Sequence, residues 1–242
     1  MYSKLSSFFV VTLVVLSIFG CATSTPTTSS WSVEQIAHSN FANINLQNSN
    51  KEIVGTVSRD WVRSMVDIKY RIEKVAKIKT HLMITEGDTP NAFAWSNKQH
   101  NMIAFNVAML DFLQKDVDQF AFVFCHEIAH NVKKHSQESS DRDGGLDVLG
   151  YAVGVGLSVA GVTGARMLSD AGVTLVKRKY DRDQEREADA LGLQYMKLAG
   201  FNPQGAIKFN QRMLNKSEGT SLPFLSTHPT TQERINNLKR AL

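Results

Sequence analysis

The sequence predicts an α+β fold, predominantly helical, with a small mixed β-sheet beside one apolar helix. Long segments repeat their apolar residues every three or four positions, the period of a helix with one buried face. Between them, three short runs at 81–106 are rich in apolar, aromatic and β-branched residues and are separated by polar turns. The helix that follows contains "FCHEIAHNVKKH" (Phe124–His135). Whether its histidines form a site or sit on an ordinary helix decides what the chain does.

The N-terminal end reads as a targeting segment. Lys4 is a small basic start, and Leu5–Phe19 is an uncharged apolar run. That run is shorter than the ~20 residues that span a bilayer, which fits a secretory signal better than a permanent anchor. Gly20 before Cys21 resembles the lipobox of bacterial lipoproteins, although Phe19 is bulkier than that pattern has at its place. The resemblance implies cleavage before Cys21 and a lipid on its thiol. Ala22 in place of Asp then implies sorting to the outer membrane of a Gram-negative cell, facing the periplasm. A plain signal peptide or an uncleaved anchor is the alternative. Thr23–Ser30 is a Ser/Thr/Pro linker with nothing to bury. The chain therefore divides into a signal peptide at 1–20, a lipidated cysteine and linker at 21–30, and one folded domain at 31–242.

The elements follow in order. Trp31 to about Lys79 reads as helical, with Val54, Val57, Trp61, Val62, Met65, Ile68, Ile72 and Val75 on one face. "HLMITEGD" reads as a strand ending in a turn. "NAFAWSN" and "NMIAFN" read as two more strands around "NKQH". Asp116–Ser136 is a helix, apolar in its middle and basic at its end, as the helix dipole favours. Gln184–Ala199 is another, with Gly200 placed to end it. Pro203 starts a helix running to about Lys216. Thr230 and Glu233 have the spacing of a capping box for the last helix. The uncharged Leu149–Ala165, rich in glycine, reads as a buried or cleft-covering helix pair, with membrane insertion as the alternative.

Composition excludes some functions. The formal net charge is +4, too mild to argue for nucleic acid, and the basic runs "KVAKIK" and "LVKRKY" read as solvated helix faces. Of the two cysteines, the lipobox resemblance makes Cys21 the lipid acceptor. Cys125 then stands alone in an apolar run and reads as a small buried hydrophobe rather than a nucleophile.

In "HEIAH", His126 and His130 stand one helical turn apart on one face and can grip a single metal ion. Glu127 lies beside the first ligand. With zinc bound, water there becomes acidic near pH 7 and a carboxylate can take its proton. A zinc hydrolase needs a third protein ligand. The layout with a glycine and third histidine on the same run fails, because Lys133 and Ser136 hold those places. A glutamate from a later helix is the other layout. "EREAD" supplies Glu185 as ligand, and Asp189 one turn on as hydrogen-bond acceptor for a ligand histidine. Glu187 points elsewhere. A solvated acidic face is the alternative reading of "DRDQEREAD".

"HEIAH" followed by "EREAD" resembles the membrane-associated gluzincin zinc metallopeptidases typified by HtpX, Oma and the CAAX prenyl endopeptidases. The likeness is closest to the bacterial periplasmic lipoproteins of that family. "NAFAW" before a strand and the "HEIAH" helix, and "THPTTQERI" downstream, match as well, so the resemblance spans roughly Thr80–Leu242. It implies a zincin-like fold, one zinc ion held by His126, His130 and Glu185, and Glu127 as general base. It implies a peptide substrate lying as a strand on the cleft edge near Asn91, Ala94, Ile103 and Phe105. It also implies catalytic roles for His228 and Arg234. His228 and Arg234 would stabilise the oxyanion, or His228 would occupy the open position on zinc. A turn residue before Pro229 is the third reading of His228. His38, His81, His100 and His135 have no partner pattern, and His135, off the shared face, reads as exposed.

The expected activity is that of a zinc endopeptidase in envelope protein quality control. An outer-membrane assembly or binding factor with a structural zinc is the second reading. A zinc hydrolase of small molecules is the third and fits a cleft-edge strand less well.

Overall fold

The computed structural model describes residues 27–28, 32–48, 50–96, 100–135, 180–217 and 222–242. The signal segment, Cys21, the glycine-rich 149–165 and residues 175–179 of the basic run "LVKRKY" lie outside the described residues.

The N-terminal part departs from the expected long helix. A short helix α1 (Val33–Ala37) is followed by strands β2 (Asn43–Gln47) and β3 (Ile53–Ser58), paired antiparallel from Asn43 opposite Ser58. Val54 and Val57 continue the period of the next helix only by coincidence. The alternation in "NINLQ" and the β-branched "IVGTV" favour strands. The Asn48 side chain closes the turn by accepting from the amides of Asn50 and Glu52, and Lys51 adopts a positive φ of 65°. Within the stretch read as linker, Thr27–Thr28 forms β1 and pairs parallel to Asn45–Leu46. The helical reading holds from α2 (Arg59–Ala76), whose Ser58 cap accepts from the Trp61 amide.

The second sheet comprises β4 (His81–Thr85), β5 (Ala92–Ser96) and β6 (Asn101–Asn106). Its order is β4–β6–β5, with β6 parallel to β4 and antiparallel to β5. Helix α3 (Val107–Leu113), not anticipated from sequence, follows directly, capped by Asn106.

Helix α4 (Val117–Val132) is the spine, capped by Asp116. Every residue from Gln119 to Asn131 is buried. A helix apolar all round has to be enclosed on every side. Here α2, β5, β6, α5 (Arg182–Leu198) and α6 (Gln204–Ser217) pack around it. Phe120 stacks on Phe124 and tilts against Phe105, and Cys125 is fully buried. Burial pushes the Cys125 thiol well above its usual pKa, so it is no nucleophile.

Helix α5 begins at a capping box made by Asp181 and Gln184, and Gly200 follows its end at φ +77°. A short helix α7 (Pro223–Thr227) precedes the last helix α8 (Gln232–Arg240). The cap of α8 is Thr231, accepting from the Arg234 amide, and not Thr230. Among the described residues no helix is long and apolar enough to cross a membrane.

Candidate metal centre

Helices α4 and α5 pack at short range because Gly192 lies on the backbone of α4. A Cβ there would stand 3.1 Å from the His126 nitrogen. This brings "HEIAH" and "EREAD" together. His126, His130, Glu185 and His228 each direct one donor atom into a shared space, all four within 4.8 Å of one another, and all four residues are buried. His130 Nε2 is 3.0 Å from His126 Nε2 and 3.3 Å from Glu185 Oε1. His228 Nδ1 is 2.9 Å from Glu185 Oε1 and 3.3 Å from His126 Nε2. Donors bound to a small tetrahedral ion at ~2.0–2.1 Å stand roughly 3.3 Å apart. The residues present therefore fit a metal ion. Several nitrogen and oxygen lone pairs converge here, the donor set a metal cation binds.

At His130 and Glu185 the electrostatics agree with this, while at His126 burial is outweighed by the Glu185 and Asp189 carboxylates, which raise its pKa. Burial drives His130 well below the usual imidazole pKa, leaving it neutral, as a ligand must be. Burial opposes ionisation of Glu185, but Arg234, His228, His126 and His130 together outweigh it and hold the carboxyl well below its ordinary range. His126 Nδ1 lies 3.2 Å from Asp189 Oδ1, as expected for the residue that orients this ring.

Glu127 is fully buried, and among the described residues neither carboxylate oxygen has a hydrogen-bond partner. Burial raises its pKa. His228 Nε2 is 3.5 Å from Glu127 Oε1. A basic carboxylate without a protein donor, beside a metal pocket, is free to work on water.

The loop before α8 does reach the cleft. His228 is 1% exposed, its amide bonded to the Phe224 carbonyl and its ring stacked on Phe224. Its Nδ1 belongs to the donor set, so a turn residue facing solvent is ruled out.

Arg234 is placed differently from expectation. Its Nε and Nη2 each lie 2.7 Å from the Asp189 carboxylate. Its Nη1 is 2.5 Å from Glu185 Oε2 and 3.2 Å from the Pro229 carbonyl. All three nitrogens hold groups of the site itself, so the guanidinium clamps Glu185 and Asp189 rather than facing an oxyanion.

Two further expectations are corrected. Ile103 and Phe105 lie on β6, paired on both sides and fully buried, so no peptide can join that strand. Asn91 and Ala94 adjoin or belong to β5, which among the described residues is one of the two outer strands of the sheet. His135 is 2% exposed, with its Nδ1 2.9 Å from His130 Nδ1. Helix α4 ends at Val132, and Lys134, at φ +58°, turns the chain so that His135 folds back onto the site. A lysine in that conformation carries no sequence signal. Glu187 does point away from the donor set, toward His135 and Lys133. His81 and His100 also find each other, at 3.1 Å.

A helix bearing two histidines and a glutamate, completed by a glutamate from a second helix beside a small mixed sheet, defines a metal-dependent peptidase of the gluzincin kind. The chain belongs to peptidase family M48, whose profile matches residues 58–242. It is 30% identical over 173 residues to the mitochondrial metalloendopeptidase OMA1 of Saccharomyces cerevisiae, covering 69% of this chain and 47% of that protein. It is 27% identical over 168 residues to the beta-barrel assembly-enhancing protease of Escherichia coli (strain K12), covering 66% and 34%. With the metalloprotease YcaL of the same strain it shares 24% over 117 residues, covering 48% and 46%. The chain thus spans about half or less of the length of these relatives.

Proposed function

We propose that this chain is a zinc-dependent endopeptidase acting on envelope proteins at the periplasmic side of an outer membrane, tethered there through lipidated Cys21. The single observation that carries the catalytic part is the fully buried Glu127, with neither oxygen hydrogen-bonded among the described residues, beside four converging donor atoms. His126, His130 and Glu185 would hold the zinc. The ion would supply Lewis acidity and a water acidified to near neutral pH. Glu127 takes a proton from the attacking water and hands it to the departing amine. Asp189 orients His126, and Arg234 orients Asp189 and Glu185. With β6 paired on both sides, the expected substrate edge is narrowed to Asn91 and Ala94 on the β5 side, against which α4 packs. The name of the Escherichia coli relative, a beta-barrel assembly-enhancing protease, supports envelope β-barrel proteins as the cellular setting.

His228 favours a second state of the same enzyme. With Nδ1 in the donor set, it would fill the fourth position and keep the resting site shut until the loop withdraws. A chain that stays shut would act as an assembly or binding factor with zinc as a structural ion.

The test is the full chain with Glu127→Gln, assayed on an unfolded protein and for bound zinc, beside Glu185→Ala. The expected result is one zinc retained in Glu127→Gln with turnover down by ~10²–10⁴-fold, and zinc sharply reduced in Glu185→Ala. Full turnover in Glu127→Gln would sink the mechanism. A cellular role surviving in that variant would favour the assembly factor.

A further inference from the structure

We propose that His135, backed by Glu187, is a positioning residue that fixes the ring and tautomer of the metal ligand His130 through an imidazole–imidazole–carboxylate chain leading to the surface. The inference rests on the reading of His130 as a ligand through Nε2.

The direction of the chain follows from hydrogen-bond chemistry. His130 Nε2 faces the other donor atoms of the centre. A ligand nitrogen carries no hydrogen, so the hydrogen of His130 sits on Nδ1. That nitrogen is 2.9 Å from His135 Nδ1, which must accept. The hydrogen of His135 is then on Nε2, 3.1 Å from Glu187 Oε2, an atom that only accepts. Glu187 is held in turn by Lys133. Each step is satisfied in one sense only, so the chain selects the tautomer that exposes the His130 Nε2 lone pair to the metal. Tyr180 lies flat on the His130 ring, with centroids 3.8 Å apart and planes 21° apart, and fixes its plane.

The two histidine ligands are therefore supported unequally. His126 meets the buried carboxylate of Asp189, itself locked by Arg234. His130 meets an imidazole whose own carboxylate partner is 47% exposed. The arm is possible only because Lys134, at φ +58°, reverses the chain after α4. Outer partners of metal-bound histidines typically change metal affinity by about 10–100-fold.

The experiment compares the full chain with His135→Phe, His135→Gln, Glu187→Ala and His130→Ala. Zinc affinity is read by chelator competition, and the Co²⁺-loaded proteins give visible spectra that report ligand geometry. His135→Phe should weaken zinc by about 10–100-fold and alter the Co²⁺ bands. His135→Gln, whose carbonyl can accept from His130 Nδ1, should recover most of both. Glu187→Ala changes only the surface end, so its folding is not in doubt, and should weaken zinc several-fold. Zinc affinity lost in His130→Ala but unchanged in folded His135→Phe and in Glu187→Ala overturns the relay alone. Affinity unchanged in His130→Ala overturns the ligand reading and the relay with it.

Discussion

Gly192 on α5 lies against the backbone of His126 on α4, so close that a Cβ would meet the His126 nitrogen at 3.1 Å and its Cα at 3.2 Å. The obstacle is main chain and cannot rotate aside. Gly192→Val should push the helices apart, destabilise the fold by about 1–3 kcal/mol and weaken metal binding by tenfold or more. Thermal unfolding with and without metal checks it. A variant with wild-type stability and affinity would show that this contact does not set the spacing of the centre.

Arg234 separates a structural clamp from a direct role in turnover. If it holds Glu185 and Asp189, Arg234→Ala leaves two buried carboxylates without their guanidinium partner and should cost up to about 3–5 kcal/mol. Arg234→Lys, which cannot reproduce the two-pronged contact with Asp189, should fall between. Denaturant midpoints and metal content measure this. Wild-type stability with lost turnover would restore the oxyanion role.

His228 tests the resting state. If its Nδ1 blocks the fourth position, His228→Ala should raise basal hydrolysis of an unfolded protein several-fold while zinc stays bound to the other three ligands. A fall in turnover with unchanged zinc content would instead assign it to catalysis.

Asp116 gives a pH signature away from the centre. Partial burial raises its carboxyl pKa, but the Lys208 ammonium at 2.6 Å and the Gln119 amide outweigh that and lower it to about 2 from 3.8. A folded pKa below the unfolded one means stability present above about pH 4 and lost as pH falls through about 2. The group lies near the surface, so screening limits the gain to about 1 kcal/mol or less. Asp116→Asn keeps a good helix cap, so urea midpoints should show a gap from wild type at pH 6 that narrows at pH 3. A gap constant across that range would remove the charge from the explanation.

Local chemistry was legible in the sequence. Two histidines one turn apart, a glutamate beside them and "EREAD" later declare ligands and base, because helical periodicity alone places them on shared faces. The strands at 81–106 and the helices α4, α5, α6 and α8 were legible from their own apolar patterns and end signals, whereas α7 lies in a stretch that reads as a loop. Where two periods overlapped, as at Val54 and Val57, sequence favoured the wrong one, since a coincidental spacing carries no information about pairing. Only the tertiary structure decided the rest. It made β6 the interior strand, turned Arg234 toward Asp189 and Glu185, and folded His135 back through the left-handed Lys134. These depend on which elements become neighbours and how close their backbones come, and such long-range packing is written in no single stretch of residues.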